Sequence, residues 1–130
     1  MSFLTELSSI LADRSCFLCG EESSLPICPT CVASFRSCDP GWTESKVQST
    51  TIRGFAAYWY EGAMRKAILQ MKVQGEYQLA SQLAELMCQK AASLLIPRDS
   101  IFVPVPRFGQ APAFDRHHFP QVASRLLARQ

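Results

Sequence analysis

The spacing of hydrophobic positions along the chain predicts four helices and two strands. Apolar residues recur every three or four positions in each helical segment, which is the spacing of one face of an α-helix. Aromatic residues favour the first strand, and the second is an apolar run without polar alternation, as in a strand buried on both faces. The predicted helices cover 2–13, 62–73, 76–95 and 118–129, and the predicted strands cover 52–60 and 101–106.

The order of elements after residue 50 predicts an α/β fold with a parallel sheet, because strands alternate with helices there. Two strands are too few for an independent sheet, so we expect the domain to be unfinished within this chain. Asp39-Pro40-Gly41 is a turn signal that marks a domain boundary, and residues 43–51 are polar and irregular, as in a linker. The sequence therefore predicts an N-terminal unit over 1–41 and an α/β unit over 50–130.

The chemistry expected of the six cysteines depends on the cellular compartment of the protein. The N-terminus has no basic segment, and Glu6 interrupts its apolar stretch, so it does not resemble a signal peptide. No apolar run approaches the roughly 20 residues of a membrane span. We therefore expect a cytoplasmic protein. Disulfides are disfavoured there, and clustered cysteines more often bind a metal or take part in redox chemistry.

Cys16, Cys19, Cys28 and Cys31 form two C-x2-C pairs. Each pair can present two sulfurs to one ion from a tight turn, and four thiolates complete the tetrahedral coordination of zinc. Eight residues separate the pairs, which is short for a zinc ribbon but still permits a hairpin between them. With four protein ligands no position stays open for catalysis, so the sequence predicts structural zinc. A thioredoxin-like redox pair is the weaker alternative, because two adjacent pairs are unusual for it.

The remaining candidate residues have plainer interpretations. Cys38 lies near enough to replace a ligand but is interpreted as a bystander, and Cys88 as a small core residue. The basic residues of the helix over 62–73 are interpreted as its solvated face, and the aromatic residues at the end of the first strand as core. These residues are Arg65, Lys66 and Lys72, and Tyr58, Trp59 and Tyr60.

Charge adds little. The net charge of +2 is too small to indicate nucleic acid by itself, although residues 107–130 are mildly basic. No arrangement of a nucleophile with a base, or of paired carboxylates, stands out, so the catalytic residues are unknown.

The ordered set of motifs resembles the ComF family, whose phosphoribosyltransferase-like members are linked to natural competence. The matching segments are CFLCG at 16–20, CPTC at 28–31, YWYEGAMRKAILQMKVQGEYQLASQLA at 58–84, VPVPR at 103–107 and FPQVASRLLA at 119–128. The resemblance covers nearly the whole chain. It implies a zinc ribbon over 1–41, followed by the first part of a type I phosphoribosyltransferase-like, Rossmann-like domain over 50–130.

The resemblance also implies a site and partners. The loop after the VPVP-type strand would approach the pyrophosphate of phosphoribosyl pyrophosphate, and it corresponds to Arg107, Phe108, Gly109 and Gln110. The implied role is the handling of incoming single-stranded DNA during uptake, together with competence and recombination proteins. An open sheet edge would also allow the chain to form a homo-oligomer.

Two departures from the family pattern limit these expectations. The family's RGFNQ motif is replaced here by His117-His118-Phe119-Pro120-Gln121. Family members also carry a later strand that ends in an acidic pair, and a Thr-Gly-rich loop that binds the ribose 5-phosphate; this sequence has no counterpart of either. We therefore expect no phosphoribosyltransferase activity from this chain. An active enzyme that uses Mg²⁺ with phosphoribosyl pyrophosphate is the alternative if the full-length protein extends past Gln130. A non-enzymatic zinc-ribbon adaptor for protein interactions is the other alternative.

Overall fold

The computed structural model describes residues 14–74, 77–105 and 119–130. Within these ranges the chain is a small mixed α/β structure with one two-stranded sheet. The predicted helix over 2–13 lies outside the described residues. In chain order the elements are α1 (Pro29–Ala33), β1 (Thr43–Val47), β2 (Thr50–Gly54), α2 (Gly62–Gln74), α3 (Tyr77–Ala91) and α4 (Phe119–Ala128).

Strands β1 and β2 form an antiparallel hairpin in which Val47 pairs with Thr50 beside the turn. Gln48 begins this two-residue turn with a positive φ of 57°. Nearly all residues of both strands are exposed. The prediction of a linker over 43–51 is therefore wrong. Because neither face of the hairpin is buried, its sequence lacks the hydrophobic alternation that distinguishes a strand from a loop.

The aromatic residues after β2 do not continue that strand, so the predicted strand over 52–60 is formed only as far as Gly54. Tyr58 makes an isolated antiparallel bridge and packs edge-to-face on Phe35, with ring centroids 5.7 Å apart. Trp59 and Tyr60 are 50% and 55% exposed. The expected core role is wrong for these two residues, because the chain leaves the hairpin here and turns into α2.

The prediction of a buried strand over 101–106 is wrong for its described part. Residues 101–105 belong to no strand, and the only sheet among the described residues is antiparallel. The side chains of Ile101, Val103 and Val105 are 87%, 80% and 71% exposed. An apolar run indicates that burial would be favourable, but it does not supply the neighbouring strands or the covering layer. Within the described ranges no strand pairs with 101–105, and of this segment only Phe102 and Pro104 are half-buried.

The predictions for the helices agree more closely with the structure. Helix α2 begins at Gly62, and α4 covers the predicted range to within a residue at either end. Helix α3 ends at Ala91, four residues before its predicted end, and leaves Leu95 exposed. Pro97 limits how far the helix could continue, because its ring would clash with the carbonyl one turn earlier, but it lies six residues beyond Ala91 and does not explain the earlier end.

One hydrophobic core joins the cysteine segment to α2 and α3. Phe35 and the residues around the cysteines contribute from one side, and the apolar faces of the two helices contribute from the other. The buried members are Cys16, Ile27, Cys28, Phe35, Met64, Ala67, Leu79 and Leu83. Helix α4 packs against α3 and buries Ala123. The cysteine segment therefore packs against α2 and α3. The division into units over 1–41 and 50–130 stays a prediction.

Candidate metal centre

The first cysteine pair lies in a tight turn that closes on itself. The amide of Gly20 donates to the carbonyl of Cys16 at 2.9 Å, and the amide of Cys16 donates to the carbonyl of Glu21 at 2.8 Å. Gly20 has a φ of +78°, a conformation that costs most other residues energy. This turn brings the sulfur of Cys19 back toward the sulfur of Cys16.

The second cysteine pair begins helix α1. Cys28 is the N-cap residue, and its Sγ accepts a hydrogen bond from the amide of Cys31 at 3.4 Å. Pro29 occupies the first turn, where its fixed φ suits a helix and its missing N–H costs nothing. The short helix thereby holds the two sulfurs of this pair on one side.

The four sulfur atoms converge on one point. All of them lie within 4.8 Å of one another. The distance from Cys16 Sγ to Cys31 Sγ is 3.8 Å, and that from Cys19 Sγ to Cys28 Sγ is 3.7 Å. A tetrahedral zinc ion bound at about 2.3 Å would place its sulfur ligands about 3.8 Å apart. The cluster therefore fits a structural metal such as zinc.

 The four residues that the two C-x2-C spacings single out therefore do lie together in the structure.

The cluster has a buried half and an open half. Cys16 and Cys28 are 2% and 7% exposed, whereas Cys31 is half-buried and Cys19 is exposed. The amides of Leu18 and Cys28 donate to Cys16 Sγ at 3.4 and 3.3 Å. Burial raises the pKa of the Cys16 thiol, but the hydrogen bonds from the backbone of Cys28, Cys19 and Leu18 outweigh it and lower that pKa to about 6. The thiol of Cys16 therefore loses its proton more easily than an ordinary cysteine.

The other thiols ionise less easily because the sulfurs are so close. Burial and the sulfurs of Cys28, Cys19 and Cys16 raise the pKa of Cys31 to about 12. Hydrogen bonds with the Glu21 backbone and with the sulfur of Cys31 lower the pKa of Cys19, but burial and the sulfurs of Cys16 and Cys28 outweigh them, so the net change is upward. Like charges at this distance oppose one another, and a divalent cation at the centre would remove that opposition.

The open half of the cluster faces a shallow cavity. Cys19, Cys28 and Cys31 lie on its wall, together with Glu21 and Glu22. This side offers a path by which an ion can reach the four sulfurs without passing through the core.

The other two cysteines lie away from the cluster. The amide of Cys38 donates to the carbonyl of Ala57 at 3.0 Å, and Cys38 is not among the residues that converge with the four sulfurs. Cys88 is buried in α3, as expected of a small core residue. Burial, together with the charge of Glu85, raises the pKa of its thiol.

The predicted pyrophosphate loop, formed by Arg107, Phe108, Gly109 and Gln110, lies outside the described residues. Its binding role stays a prediction. Among the described helices, none is long and apolar enough to cross a membrane.

Three polar side chains on the helices contact the cysteine turns, and the sequence analysis missed them. Lys66 Nζ donates to the carbonyl of Leu18 at 2.8 Å, although Lys66 was expected to be solvated only. Gln70 and Gln82 bond to the backbone near each cysteine pair. Gln82 could have been recognised from the sequence, because it is a polar residue on the apolar face of a predicted helix and such a residue needs a hydrogen-bond partner there.

Comparison with known proteins adds no relative. No family model, no curated protein and no solved structure matches this chain.

Proposed function

We propose that Cys16, Cys19, Cys28 and Cys31 bind one zinc ion that has a structural role. The observation that carries the proposal is the convergence of the four sulfurs at distances close to those around tetrahedral zinc. Four thiolates fill the coordination sphere, so the ion would have no open position for a substrate. Its contribution is to join the two cysteine turns directly to each other, in addition to the core that both share with α2 and α3.

The test of this proposal is the metal content of cysteine variants. We expect the purified protein to contain one zinc per chain, and Cys19→Ser and Cys28→Ser to lose it. Metal binding of this kind is coupled to folding, so both variants should also lose the structure of the cysteine segment. Cys38→Ser is the matched control and should keep full zinc. Full zinc in both ligand variants, measured by elemental analysis, would contradict the four-ligand assignment.

For the role in the cell, we propose a ComF-like protein that acts on incoming single-stranded DNA during uptake. The order of its motifs supports this: two cysteine pairs, an aromatic segment, a helix with a late lysine and a VPVP segment. The zinc module would hold α2 and α3 together through the core that it shares with both helices. The phosphoribosyltransferase-like fold belongs to the same proposal.

Gene deletion tests this role in the organism that encodes the chain. We expect the deletion strain to take up and integrate DNA at a reduced rate. The wild-type gene should restore that rate, and the Cys28→Ser gene should not. A deletion strain that transforms at the normal rate would count against the proposal.

A protein-interaction adaptor is the second candidate, and the exposed hairpin favours it. Strands β1 and β2 pair only with each other among the described residues, so each leaves one edge open. Such an edge can accept a further strand from another chain or from a second copy. Sedimentation at increasing concentration tests self-association. A chain that stays monomeric, and that retains no protein from its own extract, would remove this candidate.

A further inference from the structure

Two glutamines on different helices support the same cysteine sulfur through the backbone. The amides of Leu18 and Cys28 both donate to Cys16 Sγ, at 3.4 and 3.3 Å. Each of these N–H groups belongs to a peptide unit whose carbonyl accepts a hydrogen bond from a glutamine side chain. The two glutamines are Gln70 on α2 and Gln82 on α3.

The contact of Gln82 is the more complete. Its Nε2 donates to the carbonyl of Ile27 at 2.8 Å, and its Oε1 accepts from the amide of Ile27 at 2.7 Å. The two bonds fix the orientation of Ile27, whose side chain is fully buried in the core. The peptide unit between Ile27 and Cys28 thus bonds to Gln82 through its oxygen and to Cys16 Sγ through its N–H.

Gln70 repeats this arrangement at the first cysteine pair. Its Nε2 donates to the carbonyl of Phe17 at 3.1 Å, and the same peptide unit carries the N–H of Leu18 that donates to Cys16 Sγ. Lys66 Nζ holds the next carbonyl, that of Leu18. A hydrogen bond to a carbonyl polarises the peptide and strengthens the bond made by its N–H.

We propose that Gln70 and Gln82 are positioning residues that set the metal affinity of the four-cysteine site. They hold and polarise the two peptide units whose N–H groups stabilise the thiolate of Cys16. The inference rests on the proposed metal site. Partners that orient the ligands of a metal in this way typically contribute about 10- to 100-fold to metal affinity. Because these glutamines act through a peptide unit, we expect the lower end, about tenfold for each.

The test compares Gln82→Met and Gln70→Met with Gln89→Met. Methionine has a similar length but no hydrogen-bonding amide, and Gln89 is exposed on α3. Zinc affinity is measured by competition with a chelator, and the cobalt form reports the metal–sulfur bonds through its charge-transfer absorption. We expect about tenfold weaker zinc binding and a shifted absorption band for the first two variants. Gln89→Met should match the wild type.

Gln70→Met separates positioning from a general effect on stability. Gln70 Oε1 is buried without a hydrogen-bond partner among the described residues, and methionine removes this oxygen. The removal of this unpaired oxygen offsets the loss of the Nε2 bond to the Phe17 carbonyl, so the metal-free variant should be about as stable as the metal-free wild type, while its zinc affinity falls. This variant also carries the test if Gln82→Met does not fold.

The outcomes distinguish this inference from the metal site itself. A wild-type protein without any metal affinity would overturn the zinc proposal. A wild type that binds zinc, with both glutamine variants binding equally tightly and with an unchanged cobalt spectrum, would overturn the role of the glutamines alone.

Discussion

Replacing Ile27 with alanine tests whether the cysteine segment and the helices form one cooperative unit. Ile27 is fully buried in the core that contains Leu79 and Leu83 of α3. The substitution removes three carbons, which amounts to about 2.4 kcal/mol of lost transfer free energy. The cavity left behind adds to this, so the unfolding free energy should fall by about 3 to 4 kcal/mol. That corresponds to roughly 10–15 °C in Tm.

The assay is urea unfolding at saturating zinc, followed by two probes. Far-ultraviolet circular dichroism reports the helices α2, α3 and α4, and the cobalt–thiolate absorption of a parallel sample reports the cysteine segment. With a shared core, Ile27→Ala should move both transitions to lower urea by the same amount. Leu25→Ala is the control, because Leu25 is two residues away and 46% exposed, and it should cost less than about 1 kcal/mol.

The result that would refute this reasoning is a helix transition that Ile27→Ala leaves in place while the cobalt signal is lost earlier. Units over 1–41 and 50–130 that fold independently would behave in that way. Coincident shifts would instead mean that the predicted boundary near residue 41 separates sequence motifs but not folding units.

Three further predictions concern turns and surface contacts. Gln48→Gly should slow amide hydrogen exchange in the hairpin, because glycine relieves a positive φ that costs other residues about 1–2 kcal/mol, whereas Ser49→Gly should speed exchange. Gly20→Ala should lower the zinc-bound Tm through backbone strain of about 1 kcal/mol, because alanine disfavours the positive φ at this position. A Cβ there meets no atom within 4 Å, so no steric clash adds to this cost, and an unchanged Tm would contradict the prediction. Arg36→Ala should change unfolding by less than about 1 kcal/mol, because its bond to Glu61 is exposed; a larger loss in urea unfolding would count against that view.

The cluster of four cysteines was predictable because its signal is local. A C-x2-C pair can turn back on itself within four residues, so the spacing of Cys16 with Cys19, and of Cys28 with Cys31, restricts the geometry before the rest of the chain folds. Helices α2, α3 and α4 were predictable for a similar reason, since their apolar residues recur with one period, whereas the five-residue α1 is too short to show that period. Neither signal depends on a distant part of the chain.

The hairpin, the exposed apolar segment and the glutamine contacts were less predictable, because each depends on what surrounds it. The segment over 43–51 has no buried face, so its residues carry no pattern. The segment over 101–105 has the composition of a buried strand without a covering layer in the described structure. Gln82 and Ile27 are 55 residues apart, and nothing in either local sequence indicates that they meet.

The exposed side chains of Ile101, Val103 and Val105 have a consequence for how the purified chain behaves. Three exposed β-branched side chains at alternate positions are the kind of surface that promotes association between molecules in a concentrated sample. Pro104 opposes this, because it has no amide hydrogen to donate to a growing stack of strands. Pro104 therefore limits aggregation through the same exposed segment that favours it. Replacing this proline should make a concentrated sample aggregate sooner.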